Sequence, residues 1–271
     1  MNIAKKLYWK IVNPLKLSIV NDVAINELRE RLIHIEDEIT PSPPESVLYD
    51  NSSVSSYAQQ GENVVIMKLF TEVLKITRPS YIDIGAHHPY EISNTALFYS
   101  AGCWGINIEA NPNLFPLFES ERPHALNLCC GVGGKDADGT MMPFYMIDER
   151  SGRNSFNKLL VDCFIRDNPQ FRIQEVRQIP IKSLRTIFTE NGIEHCPDYM
   201  SIDIEGMEYD ALRDFDLKDD GPKVLTLEIS SYSGQGNLLK KLLSESGYFP
   251  WLKIYHNYTY IRNEYQEKVY A

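Results

Sequence analysis

Short apolar runs alternate with segments of helical periodicity along most of the chain. Five runs of four to six residues are predicted to be buried strands, at 81–84, 105–108, 126–130, 199–202 and 224–229. Apolar residues recur at helical spacing in other segments, which predicts helices at 62–76, 94–99, 112–119, 183–190, 207–212 and 238–246. Repeated strand and helix units of this kind are typical of an α/β fold, in which helices cover both faces of a parallel sheet.

The two ends of the chain depart from this alternation. Aromatic stretches at 249–255 and 258–262 predict a hairpin that completes the sheet. Residues 41–56 are rich in Pro and Ser, which is the composition of a linker. We therefore expect the α/β domain to occupy residues 55–271 and a helical appendage with its linker to occupy residues 1–54.

Two segments of the appendage suggest partners. Residues 1–20 contain four lysines and no acid among apolar side chains, which suits either peripheral contact with an anionic membrane or a flexible basic tail. Apolar residues at 25, 28, 32 and 35 have the spacing of a short coiled-coil seam. The segment 21–38 is therefore either a homodimer contact or a helix that docks on its own domain.

Composition and charge exclude several classes of protein. Of the 271 residues, 43% are hydrophobic and 24% are charged, which is ordinary for a globular protein. A formal net charge of −10 argues against nucleic acid as a partner. The sequence contains neither a run of about 18 apolar residues nor the pattern of a signal peptide, so we expect a cytoplasmic location, with the inner face of the membrane as an alternative. The five cysteines lack CxxC spacing, which argues against a disulfide framework and a structural zinc site.

The turns after the first two predicted strands carry polar residues suited to a nucleoside. In a doubly wound sheet, ligands bind beyond the carboxyl ends of the strands. Asp83 and Gly85 mark the first turn, and Glu109 follows the second strand at a spacing that suits a grip on ribose hydroxyls. The first turn lacks the G-x-G-x-x-G pattern that holds a pyrophosphate. This favours a ligand without phosphate, such as S-adenosylmethionine, over a nicotinamide dinucleotide.

A second group of acidic residues follows the fourth and fifth predicted strands. Asp203 and Glu205 come after residues 199–202, and Glu228 lies at the end of the next strand. Asp203 is the leading candidate for a general base, with Glu205 orienting the acceptor. Asp203 and Glu228 are also candidates to hold Mg²⁺, which would make an acceptor hydroxyl more acidic. The alternative is that Asp203 or Glu205 only caps the following helix.

The loop after the first strand adds further candidates. Neighbouring side chains in an extended segment point in opposite directions, so one of His87 and His88 can face the cleft while the other supports the loop. A structural role is the simpler interpretation for each, and His88 is retained as the catalytic candidate. Asn94 and Thr95 stand at a predicted helix start, where they can cap the helix, contact the cofactor or do both.

The chain resembles the FkbM-type methyltransferase family over roughly residues 56–230. The matching stretches are SYAQQGEN, YIDIGAHHPYEISNTALFYSAGCWGINIEANP, RNSF, DYMSIDIEGMEYDAL and KVLTLEIS. The resemblance implies a Rossmann-like, seven-stranded class I sheet and dependence on S-adenosylmethionine. It also implies transfer of a methyl group to a sugar hydroxyl, in a bacterial surface polysaccharide or a glycosylated metabolite.

Cofactor contacts follow from the same resemblance. It places Asp83, Gly85 and Ala86 at the methionine part of the cofactor, Glu109 at the ribose, and residues 127–131, which include Cys130, beside the adenine. Ala110, next to Glu109, is a further candidate for contact with the cofactor. Two alternatives remain at this point: a partner-binding module that keeps the fold without turnover, and a nicotinamide-dependent oxidoreductase.

Overall fold

The structure, a computed structural model, describes residues 56–229 and 235–270. The hypotheses about membrane contact through 1–20 and dimerisation through 21–38 lie outside the described residues, and the predicted domain limits stay a prediction. Among the helices within those two ranges, none combines the length and apolar character that crossing a bilayer requires.

Within residues 56–229 and 235–270, ten strands form two sheets. Their bounds are β1 Tyr81–Ile84, β2 Gly105–Ile108, β3 Leu126–Leu128, β4 Gly131–Val132, β5 Met141–Met146, β6 Glu175–Lys182, β7 Tyr199–Ile202, β8 Val224–Glu228, β9 Tyr248–Ile254 and β10 Asn257–Arg262. The main sheet has seven strands in the order β3-β2-β1-β7-β8-β10-β9. Its first five strands are parallel, and β10 runs antiparallel to both β8 and β9. The predicted seven-stranded α/β sheet and its terminal hairpin are confirmed.

The smaller sheet was not predicted. It has the order β4-β6-β5, and β5 and β6 form an antiparallel ribbon. Two features hide it in the sequence. Strand β4 is only two residues long, and the first half of β6, with the sequence EVRQ, is mostly exposed and polar. Neither segment therefore shows the continuous apolar run of a buried strand.

Helices cover the main sheet at most of the predicted positions. Their bounds are α1 Glu62–Lys68, α2 Ala96–Ser100, α3 Phe115–Glu121, α4 Lys158–Asp167, α5 Leu184–Glu190, α6 Glu208–Leu212, α7 Leu217–Asp220, α8 Gly236–Glu245 and α9 Gln266–Tyr270. A π-helical turn at Leu69–Val73 continues α1, and a 3₁₀ turn at Asn263–Tyr265 precedes α9. Predicted and observed ends differ by a few residues, as helix ends usually do.

Alternate residues of the central strands pack into two cores, because successive side chains of a strand point to opposite faces. Ile82 and Ile84 of β1 belong to the larger core. Tyr81 lies in the second core on the other face, where the rings of Phe98 and Tyr199 stack with centroids 5.0 Å apart.

A row of polar residues crosses the main sheet near the carboxyl ends of its parallel strands. The strand register aligns Asn127, Asn107, Asp83, Ser201, Thr226 and Thr259. Five of the six are buried, and Asn127 is half-buried. Hydrogen bonds join neighbours along the row, from Asn107 to Asn127 at 2.8 Å and between Thr226 and Thr259 at 2.9 Å. Asp83 is thus part of a continuous polar layer within the second core.

Candidate active site

A cavity of about 300 Å³ lies at the carboxyl ends of β1, β2 and β7. Strand order reverses here, because β1 pairs with β2 on one side and with β7 on the other. Ligands of open α/β sheets bind at such a switch point. The residues predicted as site residues that line the cavity are Asp83, Gly85, Ala86, Asn94, Glu109, Ala110, Cys130, Asp203, Glu205 and Glu228. Thr95 and His88 are not among the residues that line it.

Gly85 brings two of the site's loops into close contact. Its φ is +79°, and a Cβ atom at this position would lie 1.9 Å from the backbone oxygen of Asp203. The backbone N–H groups of Gly85 and Ala86 donate to the oxygen of Ile108 at 2.9 and 3.1 Å. No other residue fits here, because the left-handed conformation and the close approach both exclude a side chain.

Glu109 is held rigidly at the end of β2. One carboxylate oxygen accepts the N–H of His87 at 2.7 Å, and the other accepts the N–H of Asn111 at 2.6 Å. Burial raises the pKa of Glu109 to about 7, against the lowering effect of these two hydrogen bonds. Each oxygen keeps a second lone pair, so the fixed carboxylate can still accept hydrogen bonds from a ligand.

Asp83 is supported from behind the cavity. The hydroxyl of Thr95 donates to Asp83 Oδ2 at 2.5 Å and accepts from Arg122 Nη1 at 2.9 Å. Burial raises the pKa of Asp83, and Thr95 and Arg122 oppose that shift. Asn94, beside Thr95, lines the cavity and donates from Nδ2 to Ser201 Oγ at 3.0 Å. Thr95 therefore stabilises the site without lining it.

Arg122 was missed by the sequence analysis and is fully buried. Its guanidinium donates to Asn107 at 2.8 Å, to Ser93 at 2.9 Å and to the backbone oxygen of Pro89. These bonds join the loop after β1 to β2. Arg122 directly follows the last residue of α3, and this position gives no signal in the sequence, since an Arg near a helix end is usually solvated.

Three carboxylates meet beside the Gly85 turn. One oxygen from each of Asp203, Glu205 and Glu228 lies within 4.8 Å of the others. Asp203 is open to the cavity, and the other two are half-buried. The pKa of the Asp203 carboxyl is raised well above its ordinary value. The main cause is that the surrounding protein removes the carboxyl from water, and the charge of Glu228 is the second cause. The pKa of Glu228 is also raised, first by burial and then by the charge of Glu205.

Glu205 sits on a constrained loop. Its φ is +52°, which is uncommon for any residue other than glycine. The buried carboxylate of Glu208 holds this loop by accepting the N–H groups of Ile204 at 3.2 Å and Gly206 at 3.0 Å. Burial, followed by the charge of Asp203, raises the pKa of Glu205 to about 7. The predicted role of Asp203 or Glu205 as a helix cap is not seen, because α6 has no side-chain cap.

Arg153 is the second residue without a role in the sequence analysis, although it belongs to the quoted RNSF stretch. Its Nη1 donates to both oxygens of Glu205, at 2.8 and 3.0 Å. Arg153 belongs to the loop 147–155. Elsewhere in this loop, the backbone oxygen of Glu149 accepts a hydrogen bond from Asn111 Nδ2 at 2.9 Å. We call residues 147–155 the strap, since it joins the Glu109 side of the cavity to the Glu205 side.

The two adjacent histidines have different surroundings. His88 Nδ1 accepts the N–H groups of Tyr90 at 3.2 Å and Glu91 at 3.0 Å, so its ring stabilises a turn. His87 lines the cavity with φ +55°. Burial, and then the nearby His88, lower the pKa of His87, which favours its neutral form. The structure thus places His87, and not His88, in the lining of the cavity.

The side of the cavity near β4 is mostly apolar. Ala110 and Cys130 line it together with the aromatic pair Phe144 and Phe156, whose ring centroids are 4.8 Å apart. Burial raises the pKa of the Cys130 thiol to about 11, so it stays neutral. A neutral thiol between apolar groups is a surface for a flat ring rather than a nucleophile.

The Methyltransferase FkbM domain family matches residues 83–261. The chain belongs to the FkbM methyltransferase family. Residues 83–261 therefore form an S-adenosylmethionine-dependent methyltransferase domain with a Rossmann-like fold. No curated protein matches the chain.

Several solved structures are distantly similar to this family member. A structure of monomeric WbdD is 9% identical with a TM-score of 0.38, and the alignment covers 85% of this chain and 48% of that one. A putative caffeoyl-CoA O-methyltransferase from Staphylococcus aureus is 12% identical with a TM-score of 0.36, covering 96% of this chain and 100% of that one. The hMettl16 catalytic domain, in complex with MAT2A 3'UTR hairpin 6, is 12% identical with a TM-score of 0.32, covering 89% and 81%. The chain spans about half the length of the WbdD chain.

Proposed function

We propose that the protein transfers the methyl group to a sugar hydroxyl, in a bacterial surface polysaccharide or a glycosylated metabolite. The observation that carries this proposal is the carboxylate cluster beside the Gly85 turn. An alcohol is a poor nucleophile at neutral pH, so its methylation benefits from a group that accepts its proton. The sugar itself is suggested by the resemblance to FkbM-type enzymes.

The cavity fits S-adenosylmethionine, which supplies an electrophilic methyl group when bound. Gly85 leaves room for close backbone approach, and the fixed carboxylate of Glu109 can accept hydrogen bonds from ribose hydroxyls. The apolar side formed by Ala110 and Cys130 suits adenine. Asp83 supplies carboxylate oxygens where the resemblance puts the methionine part, and Asn94 lines the same cavity as a further candidate for contact with the cofactor.

Asp203 is the proposed proton acceptor. It is the member of the cluster that is open to the cavity, so an acceptor hydroxyl can reach it. A raised pKa makes its ionised carboxylate a stronger base than an ordinary Asp. Glu228 lies against it, and two adjacent carboxylates share a proton more readily than they both ionise. Glu205, fixed by Arg153 and by its loop, is proposed to orient the acceptor.

Mg²⁺ is the alternative means of activating the hydroxyl. Carboxylate oxygens are the ligands that this ion prefers, and one or two carboxylates are usual, so Asp203 and Glu228 fit. Glu205 is already engaged by Arg153. Chelation separates the alternatives. Loss of methyl transfer on adding EDTA, with recovery on adding Mg²⁺, supports the metal, whereas unchanged transfer supports Asp203 acting with Glu228 alone.

The test combines cofactor binding and turnover. Calorimetry with S-adenosylmethionine, S-adenosylhomocysteine and NAD should show binding of the adenosyl ligands only. Transfer of labelled methyl to a panel of bacterial polysaccharides and free sugars then identifies the acceptor. In Asp203→Asn we expect unchanged affinity for S-adenosylhomocysteine and a rate lower by about 10²- to 10⁴-fold, which is the usual contribution of a general base. An unchanged rate would exclude Asp203 as the base.

A further inference from the structure

Arg153 uses only part of its capacity to donate hydrogen bonds. Nη1 contacts both oxygens of Glu205, and no other acceptor for the guanidinium is found in the described part of the chain. Arginine and carboxylate frequently pair through two parallel bonds from two nitrogens. In this pair Nη2 and Nε remain as donors, and 53% of the side chain is exposed. The guanidinium therefore has both the donors and the access to bind a further group.

The charge of the cavity makes this donor unusual. Five carboxylates line it, those of Asp83, Glu109, Asp203, Glu205 and Glu228. Arg153 is the single Lys or Arg among the described residues that line the same cavity. A ligand anion in these surroundings is repelled on most sides, and Arg153 is where it finds a permanent positive charge. The methionine part of S-adenosylmethionine necessarily brings one carboxylate into the cavity.

The backbone around Arg153 is fixed in position. On one side, its own N–H donates to Ser151 Oγ at 3.1 Å. On the other, Asn154 Oδ1 accepts the N–H of Ile147 at 2.9 Å, and Ser155 pairs with Tyr145 through two backbone hydrogen bonds. These contacts close the strap at its base. A side chain presented from such a base loses less conformational freedom when it binds a ligand.

We propose that Nη2 and Nε of Arg153 bind a carboxylate of a ligand beside the Asp203, Glu205 and Glu228 cluster. The guanidinium fork matches carboxylate geometry, and the fixed strap holds it at the carboxyl end of β7. The carboxylate belongs either to the methionine part of the cofactor or to an acidic sugar acceptor. This inference rests on the proposed function, since both ligands are those of a sugar methyltransferase.

The first experiment tests the cofactor as the source. Calorimetry compares S-adenosylmethionine with its decarboxylated analogue, for the wild-type protein and for Arg153→Gln. We expect the variant to bind S-adenosylmethionine roughly 10- to 100-fold more weakly, because a hydrogen bond to a charged group is lost, and to bind the decarboxylated analogue as the wild type does. Arg150→Gln is the matched control. Arg150 is an exposed residue of the same strap that does not line the cavity.

The second experiment tests the acceptor as the source. Protein saturated with S-adenosylhomocysteine is titrated with D-glucuronate and with D-glucose, which differ at the carboxylate, and binding is followed by saturation-transfer NMR. We expect the wild type to bind glucuronate more tightly than glucose if the acceptor supplies the carboxylate. Arg153→Gln should then lose this preference, and Arg150→Gln should keep it. The proposal is overturned if Arg153→Gln keeps the wild-type behaviour towards glucuronate and glucose and also either leaves the affinities for both cofactor ligands unchanged or lowers them equally. Failure of the wild type to bind S-adenosylmethionine at all would contradict the function itself.

Discussion

The hydroxyl of Thr95 donates to Asp83 at 2.5 Å and accepts from Arg122 at 2.9 Å. A buried carboxylate is thereby linked through one neutral hydroxyl to a buried guanidinium, without direct ion pairing. The carboxylate stays oriented towards the cavity, and its charge is only partly balanced. The prediction that Thr95 contacts the cofactor is not supported by its position, which is behind Asp83.

Removing the Thr95 hydroxyl should disturb both stability and cofactor affinity. In Thr95→Val, which keeps the shape, Asp83 loses a buried donor, so we expect the free energy of unfolding to fall by about 1–3 kcal/mol. Thr95→Ser keeps the hydroxyl and should lose less stability. Urea unfolding gives the free energies, and calorimetry with S-adenosylhomocysteine gives the affinity. Equal stability of the valine and serine variants would show that the hydrogen bond contributes little.

Gly85→Ala should abolish cofactor binding. The added Cβ would lie 1.9 Å from a backbone oxygen, so the loops after β1 and β7 must separate. Gly102→Ala is the matched control, since Gly102 has a similar φ of +75° and no atom within 4 Å of the added carbon. It carries only the backbone strain, on the order of 1 kcal/mol. The contrast is measured by calorimetry with S-adenosylhomocysteine after circular dichroism confirms folding; retained binding in Gly85→Ala would exclude the close approach.

Glu109→Gln should weaken binding through the ribose. Removal of the charge weakens the hydrogen bonds that residue 109 accepts from ligand hydroxyls. We therefore expect roughly 10- to 100-fold lower affinity for adenosine-containing ligands. Because the pKa of Glu109 is about 7, wild-type affinity for S-adenosylhomocysteine should rise with pH as Glu109 loses its proton, and the Gln variant should lack this dependence. Adenosine and 2′-deoxyadenosine, compared on both proteins, test whether the effect depends on the hydroxyl.

Glu208 should make the protein less stable as pH rises. Burial raises its pKa from 4.5 to about 7, so between these values the folded state holds a proton that the unfolded state releases. From about pH 5.5 to about pH 7.5, its contribution should lower the free energy of unfolding by about 2 kcal/mol. Glu208→Gln, which keeps an acceptor oxygen, should lack this loss, and exposed Glu121→Gln should behave as the wild type. The free energy of unfolding is measured by urea unfolding at each pH. The prediction is contradicted if this free energy changes with pH by the same amount in all three proteins.

The sequence predicted the main sheet well because its strands are short, buried and apolar, as β1 and β7 illustrate with identical predicted and observed bounds. The smaller sheet escaped because β4 is only two residues long and the first half of β6 is mostly exposed. The strap escaped because its contacts are distant in sequence. Arg153 and Glu205 are 52 residues apart, and only the folded chain shows that they pair. The choice between His87 and His88 depended on a backbone φ of +55° at His87, which no periodicity indicates.

The polar row across the main sheet also bears on how the chain avoids misfolding. Because side chains alternate between faces, slipping any central strand by one residue would push Asp83, Asn107 or Ser201 into the core that holds Ile82 and Ile84. Such a slip would bury a charged or polar side chain without hydrogen-bond partners, which costs on the order of several kcal/mol. A sheet with a shifted register is therefore less stable than the native sheet. The polar row that includes Asp83 thus also favours the correct register of the strands.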